Sequence, residues 1–141
     1  MNTTFLFLLA LFGAVCAHPW IHHNDSDPII TKFLESAKPI FNSRDATKIG
    51  AFFDDSFQFK GCIGTYTKET MVQTIVTRPT NSTIDLVTLV SSKWIAQGQI
   101  EYIVDVSYIV KHSIMATFVY STEKNALLSG SIEQCPVKRL Y

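Results

Sequence analysis

The sequence has no excess of either charge, few cysteines and no long apolar run, and each shortage excludes something. Lys and Arg total 12 against 12 Asp and Glu in 141 residues, a formal charge of zero. Nucleic acid and anionic membrane surfaces recruit a basic excess, so neither is expected as a partner. The apolar run at residues 5–12 is far short of the roughly 20 residues that cross a bilayer. Serine nucleophile elbows, phosphate-binding loops and zinc-protease helices are all absent, which removes the reactions those motifs carry. With 47% hydrophobic and 17% charged residues the chain is not disordered in bulk, and its length allows one domain with a modest core.

What is present begins with a targeting pattern. Phe5-Leu6-Phe7-Leu8-Leu9-Ala10-Leu11-Phe12 has the length of a signal-peptide core, and Val15-Cys16-Ala17 puts small residues at the −3 and −1 positions before His18. The reading is a signal peptide over 1–17, a flexible segment over 18–27, one domain over 28–141, and secretion. Cys16 leaves with the signal, so Cys62 and Cys135 remain as an even pair, expected to form a disulfide in an oxidising compartment. Asn24-Asp25-Ser26 and Asn81-Ser82-Thr83 are sequons in expected loops, so Asn24 and Asn81 are candidate glycosylation sites.

Along the domain the hydrophobic period changes once. Ile29, Ile30, Phe33, Leu34, Ala37, Ile40 and Phe41 form one stripe opposite Lys32, Glu35 and Lys38, which predicts a helix. Asp27 is its expected cap, Pro28 its first residue and Pro39 its kink or end. A second short helix is expected from Ser43 to Asp54-Asp55, then an extended piece over 57–63, then a third helix capped by Thr67 and ended by Arg78-Pro79. From Ile84 the period is two. Ile84, Leu86, Thr88, Val90, Ser92 and Trp94 are expected on one face. After a turn at Ala96-Gln97-Gly98 come Ile100, Tyr102, Val104, Val106, Tyr108, Val110 and His112 on that face. Strands over 114–121 and 126–135 follow, joined by Thr122-Glu123-Lys124-Asn125. The fold class is α+β, an antiparallel meander with helices on one face.

This layout resembles the NTF2-like superfamily, the cystatin-like cone that also contains the SnoaL and ketosteroid-isomerase-like proteins. There three helices lie in the concave face of a strongly curved antiparallel sheet. The resemblance spans 29–137 and rests on Asn42-Ser43-Arg44-Asp45-Ala46-Thr47-Lys48-Ile49, Phe52-Phe53-Asp54-Asp55-Ser56-Phe57-Gln58-Phe59 and Gly64-Thr65-Tyr66-Thr67-Lys68-Glu69. A signal and two cysteines on a domain of this size also resemble a set of uncharacterised secreted nematode proteins of that fold. In the ketosteroid-isomerase-like pattern a base aspartate follows five residues after the Asp-Asp turn. Counting from Asp55 reaches Lys60, which cannot take over carboxylate base chemistry unless burial lowers its pKa.

Catalysis is therefore not the leading expectation. Asp54 and Asp55 read as a helix-end and turn pair, and Asp105 as a solvated residue of the outer face. Trp94, Tyr102, Tyr108, His112, Phe118 and Tyr120 share the inward face, an aromatic wall with a few polar tips that suits an apolar ligand or simply fills the core. His112 is a weak candidate acid or base. His18, His22 and His23 could hold copper or zinc adventitiously, and no functional metal or other cofactor is expected. Val87, Leu89, Ile103, Ile109, Met115 and Val119 mix with charges on the expected outer face, a surface on which two copies could pair. The expectation is a secreted, non-enzymatic domain binding a small apolar ligand or a protein partner. The alternative is a small lyase or isomerase using His112 with Tyr102 or Tyr108.

Overall fold

The computed structural model describes residues 25–81, 87–107 and 113–135. The expected signal, all four histidines, Asn24, Tyr108 and Ile109 lie outside the described residues. Helix α1 spans Ser26–Ser43, α2 Ala46–Gly50 and α3 Lys68–Thr77. The strands are β1 Phe53–Lys60, β2 Thr65–Thr67, β3 Val87–Ala96, β4 Gln99–Ser107, β5 Ser113–Ser121 and β6 Ala126–Ile132. They form one curved, open sheet in the order β2-β1-β6-β5-β4-β3.

The sheet is mixed rather than antiparallel throughout, because β6 returns beside β1 and pairs with it in parallel. Joining the first strand to the last in this way needs the long crossover that α3 and β3–β5 supply. The other pairs are antiparallel, as the short hairpins require.

Helix α1 buries Ile30, Phe33 and Ala37 and exposes Lys32, Glu35 and Lys38, the amphipathic division its period predicts. It starts at Ser26, not Pro28, and no side chain caps its first turn. Asp27 accepts a hydrogen bond from Ser92 on β3 instead. Pro39 does not end the helix, which runs four residues further to Ser43. Its ring is exposed, so water can serve the carbonyl that proline leaves without a donor, while burial of Ile40 and Phe41 against the core holds the last turn. Arg44, at φ 60°, terminates it in the left-handed conformation.

Helix α2 is a single turn capped by Asp45, whose carboxylate accepts from the backbone N–H groups of Thr47 and Lys48, both at 3.1 Å. It stops before the Asp-Asp pair. Asp54 and Asp55 are strand residues, not a helix end, because Phe53, Phe57 and Phe59 are worth more buried on one face of β1 than wound into a helix. Thr67 caps α3 as expected, accepting from the Thr70 backbone.

Two arginines lock α1 and α3 together at their C-terminal ends. Arg44 donates to the carbonyls of Val76 (3.3 Å), Arg78 (2.5 Å) and Pro79 (2.6 Å). Arg78 donates to the carbonyls of Phe41 and Ile75 (both 3.0 Å) and to Asn42 Oδ1 (2.8 Å). Each guanidinium thus serves carbonyls that a helix end leaves without donors.

Strand β4 alternates as expected, with Ile100, Tyr102 and Val104 buried. On β3 the parity before Ser92 is reversed. A bulge at Val90 interrupts the pairing between Leu89↔Val104 and Ser91↔Ile103, so Val87 and Leu89 face the core and Thr88 and Val90 face out. Val87 and Leu89 are therefore not part of the outer face; of the apolar residues expected there, Ile103, Met115 and Val119 are described, and Val90 joins them.

Candidate functional site

One row of residues crosses the concave face from edge to edge. Consecutive pairings run Tyr66↔Phe59, Phe59↔Gly130, Gly130↔Phe118, Phe118↔Tyr102 and Tyr102↔Ser92, taking in all six strands. Ring centroids follow at 6.3 Å from Tyr66 to Phe59, 5.6 Å from Phe59 to Phe118 and 5.6 Å from Phe118 to Tyr102. The last two pairs are stacked, at 25° and 24°, close to the offset arrangement aromatic rings prefer.

Gly130 makes the row continuous. A Cβ there would stand 2.6 Å from Phe118 Cδ1 and 2.7 Å from Phe59 Cδ2, so only glycine lets two rings on β1 and β5 meet above β6. Around the row, Leu89, Val106, Ile132, Met71 and Ile75 pack against the core while staying half-buried. The concave side is apolar and only partly covered.

The row ends in a small polar group. Ser92 Oγ lies 2.7 Å from Ser26 Oγ and hydrogen-bonds the Asp27 carboxylate. Both serines are buried. Ser92 Oγ is the donor, shared between the Ser26 hydroxyl and the Asp27 carboxylate, which pins the start of α1 to β3. Tyr120 belongs to the helix-packing layer: its ring lies 4.5 Å from that of Phe33, and its hydroxyl donates to Asn125 Oδ1 at 2.6 Å. Burial pushes the Tyr120 phenol up. Burial first, and the neighbouring Tyr120 second, push the Tyr102 phenol far above its ordinary value.

Of the six residues expected to form the wall, Tyr102, Phe118 and Tyr120 share the concave face. Trp94 is on the same side, opposite Ile100, but at the sheet edge and 45% exposed. Tyr108 and His112 fall outside the described residues. Phe59, Tyr66 and Gly130 were not among the expected site residues; a glycine inside a strand was the available signal. Lys60 is exposed on the convex side, one residue past Phe59, and so does not face the interior. Asp54 bonds Ser56 and Lys124, and Asp55 pairs with Lys68 at 2.8 Å. Cys62 and Cys135 form the expected disulfide, with Cα atoms 5.5 Å apart, tying the β1–β2 turn to the chain beyond β6. Among the described residues no group of three or more His, Cys, Asp or Glu side chains is placed to hold a metal ion, and no helix is long and apolar enough to cross a membrane.

Comparisons with known proteins agree on the architecture. The family model described as "NTF2-like domain" matches residues 27–137. An NTF2-like protein of unknown function from Shewanella baltica superposes with a TM-score of 0.61 at 11% identity, over 82% of this chain and 98% of that one. An NTF2-like protein from Cytophaga hutchinsonii gives 0.58 at 15%, over 74% and 94%. A domain of unknown function with a cystatin-like fold from Nostoc punctiforme gives 0.55 at 8%, over 80% of each. At these identities the likeness concerns the fold alone. No curated protein matches by sequence.

Proposed function

The chain belongs to the NTF2-like domain family, and from that premise we propose that it is a secreted, non-enzymatic binding domain that holds a small apolar ligand against its concave face. The observation that carries this reading is the unbroken row Tyr66-Phe59-Phe118-Tyr102 over Gly130, bordered by half-buried aliphatic side chains. No charged side chain is buried among the described residues. What the row offers a guest is dispersion and ring stacking, not proton transfer.

Export is supported by the apolar run at 5–12 with its small-residue cleavage pattern, and it suits a disulfide that closes a 73-residue separation. The test is native mass spectrometry of the protein recovered from the medium of its own cells. The expected species starts at His18 and carries a non-covalent mass lost on gentle activation. Material that is always ligand-free, and whose melting temperature no apolar compound raises, would refute the binding reading.

A second reading, pairing of two copies through the convex face, is favoured by Met115, 48% exposed on the same face as Ile103 and Val119. Sedimentation of Met115→Glu against the natural chain tests it. The substitution should shift a dimer towards monomer, and a natural chain that is monomeric throughout would sink the idea.

A further inference from the structure

We propose that Asn24 is a site of N-linked glycosylation that the fold itself closes: oligosaccharide reaches it only before the start of α1 docks on β3. This rests on the export proposed above, because the sugar donor and its transferase are met in the secretory pathway.

The acceptor signal is Asn24-Asp25-Ser26, of which the structure describes the last two residues. In the transfer, the Asn24 amide nitrogen attacks the anomeric carbon of an oligosaccharide carried on a lipid diphosphate. An N–C bond forms and the C–O bond to the diphosphate breaks. The lipid diphosphate leaves with the electron pair, and the amide gives up one proton. The transferase recognises the hydroxyl two residues after the asparagine, which is why the signal demands serine or threonine there. Here that hydroxyl belongs to Ser26.

In the folded chain this hydroxyl is already engaged. Ser26 is the first residue of α1 and 0% exposed. Its Oγ accepts a hydrogen bond from Ser92 Oγ at 2.7 Å, and Ser92, itself buried, also bonds the Asp27 carboxylate. Asp25 is helical, at φ −57° and ψ −14°. Both residues after Asn24 are therefore held by the fold, one in its backbone and one in its side chain. To present Ser26 to an enzyme, the first turn of α1 must leave β3. That breaks these bonds and loosens the packing of Ile30, one turn further on.

Ser92 lies 66 residues beyond Ser26. Until β3 has been made the Ser26 hydroxyl is free, and at about 5–20 residues per second that interval lasts roughly 3–13 s. Asn24 thus has a window that ends when its own domain assembles. A sugar found there marks a chain that was modified before α1 docked.

The test offers a eukaryotic oligosaccharyltransferase and its lipid-linked oligosaccharide to the full mature chain made without sugar. The chain is presented in two forms: folded with the Cys62–Cys135 bond, and reduced, alkylated and unfolded. Peptide mass spectrometry reads transfer at Asn24. The open chain should be modified, and the folded chain about tenfold or more slowly, the factor that a local opening cost of about 1.4 kcal/mol imposes. An unrelated acceptor peptide added to both reactions should be modified equally. Ser92→Ala removes the hydroxyl that holds Ser26 and leaves the acceptor residues untouched, so its folded form should be modified severalfold faster than the natural folded chain. Its melting transition establishes that it is folded.

Equal rates for the folded and open natural chains would overturn the closure, and so would a folded Ser92→Ala no faster than the natural chain. No transfer to the open chain would overturn the site. Each of these outcomes leaves export intact. A chain retained in its own cells with residues 1–17 uncleaved would instead refute export, and this proposal with it.

Discussion

Replacing Gly130 by alanine tests whether the aromatic row is a rigid floor. The added methyl carbon would sit 2.6 Å from Phe118 Cδ1, 2.7 Å from Phe118 Cε1 and 2.7 Å from Phe59 Cδ2. Carbon atoms rest at about 3.5–4.0 Å, so both rings must retreat by about 1 Å. Neither is free to do so alone. Phe118 is stacked on Tyr102, Phe59 lies against Tyr66, and the two rings are stacked on each other. Overfilling a packed core costs about 1–3 kcal/mol. Alanine offsets about 0.5 kcal/mol of that by restricting the unfolded chain. A net loss of about 1–2 kcal/mol should lower the melting temperature by about 4–10 °C in a domain of this size. Calorimetry of the oxidised protein measures it, and Gly130→Val should fall further. An unchanged or higher melting temperature for Gly130→Ala would show that the rings move independently, and the continuous floor would have to be abandoned.

Three other perturbations probe the frame around the site. Arg78→Ala removes the donors from Phe41, Ile75 and Asn42 and should cost about 2–3 kcal/mol in urea unfolding; Arg78→Lys should recover only part, and a midpoint unmoved by Arg78→Ala would refute the clamp. Hydrogen bonds from Ser56, then Lys124, hold the Asp54 carboxyl down from 3.8 to about 2. Its contribution is therefore present above about pH 4 and lost as the pH falls through 2. Asp54→Asn should flatten the stability profile between pH 4 and pH 2, and an identical slope in both proteins would count against the assignment. The Cys62→Ser/Cys135→Ser variant opens a loop closed across 73 residues and should lose about 4 kcal/mol; a change below about 1 kcal/mol would mean the bond constrains little.

Much of this architecture was legible in residue spacing. The stripe on α1, the Thr67 cap, the alternation on β4 and the cysteine pair each follow from a local rule. What local rules missed has a common cause: contacts made far away along the chain. Asp54 and Asp55 look like a helix end, yet they belong to a strand because β6 supplies a parallel partner for Phe53 and Phe59. Leu89 looks outward until a single bulged residue, Val90, shifts the frame. Asp27 looks like a cap until Ser92 is brought to it across the fold. The row itself was half visible: Tyr102 and Phe118 follow from alternation within consecutive hairpins, whereas Phe59 and Tyr66 join only through Gly130, across the parallel pairing.

That parallel pairing also sets an order of events during synthesis. Strand β6 lies between β1 and β5 and is the last strand of the sheet to emerge. Until it does, the β1–β2 hairpin has no edge to join, and Phe53, Phe57 and Phe59 have no sheet to be buried in. β3, β4 and β5 can meanwhile form their own meander through short-range contacts. The nascent chain is thus two halves waiting for one strand, with the three phenylalanines of β1 exposed to aggregation in the interval.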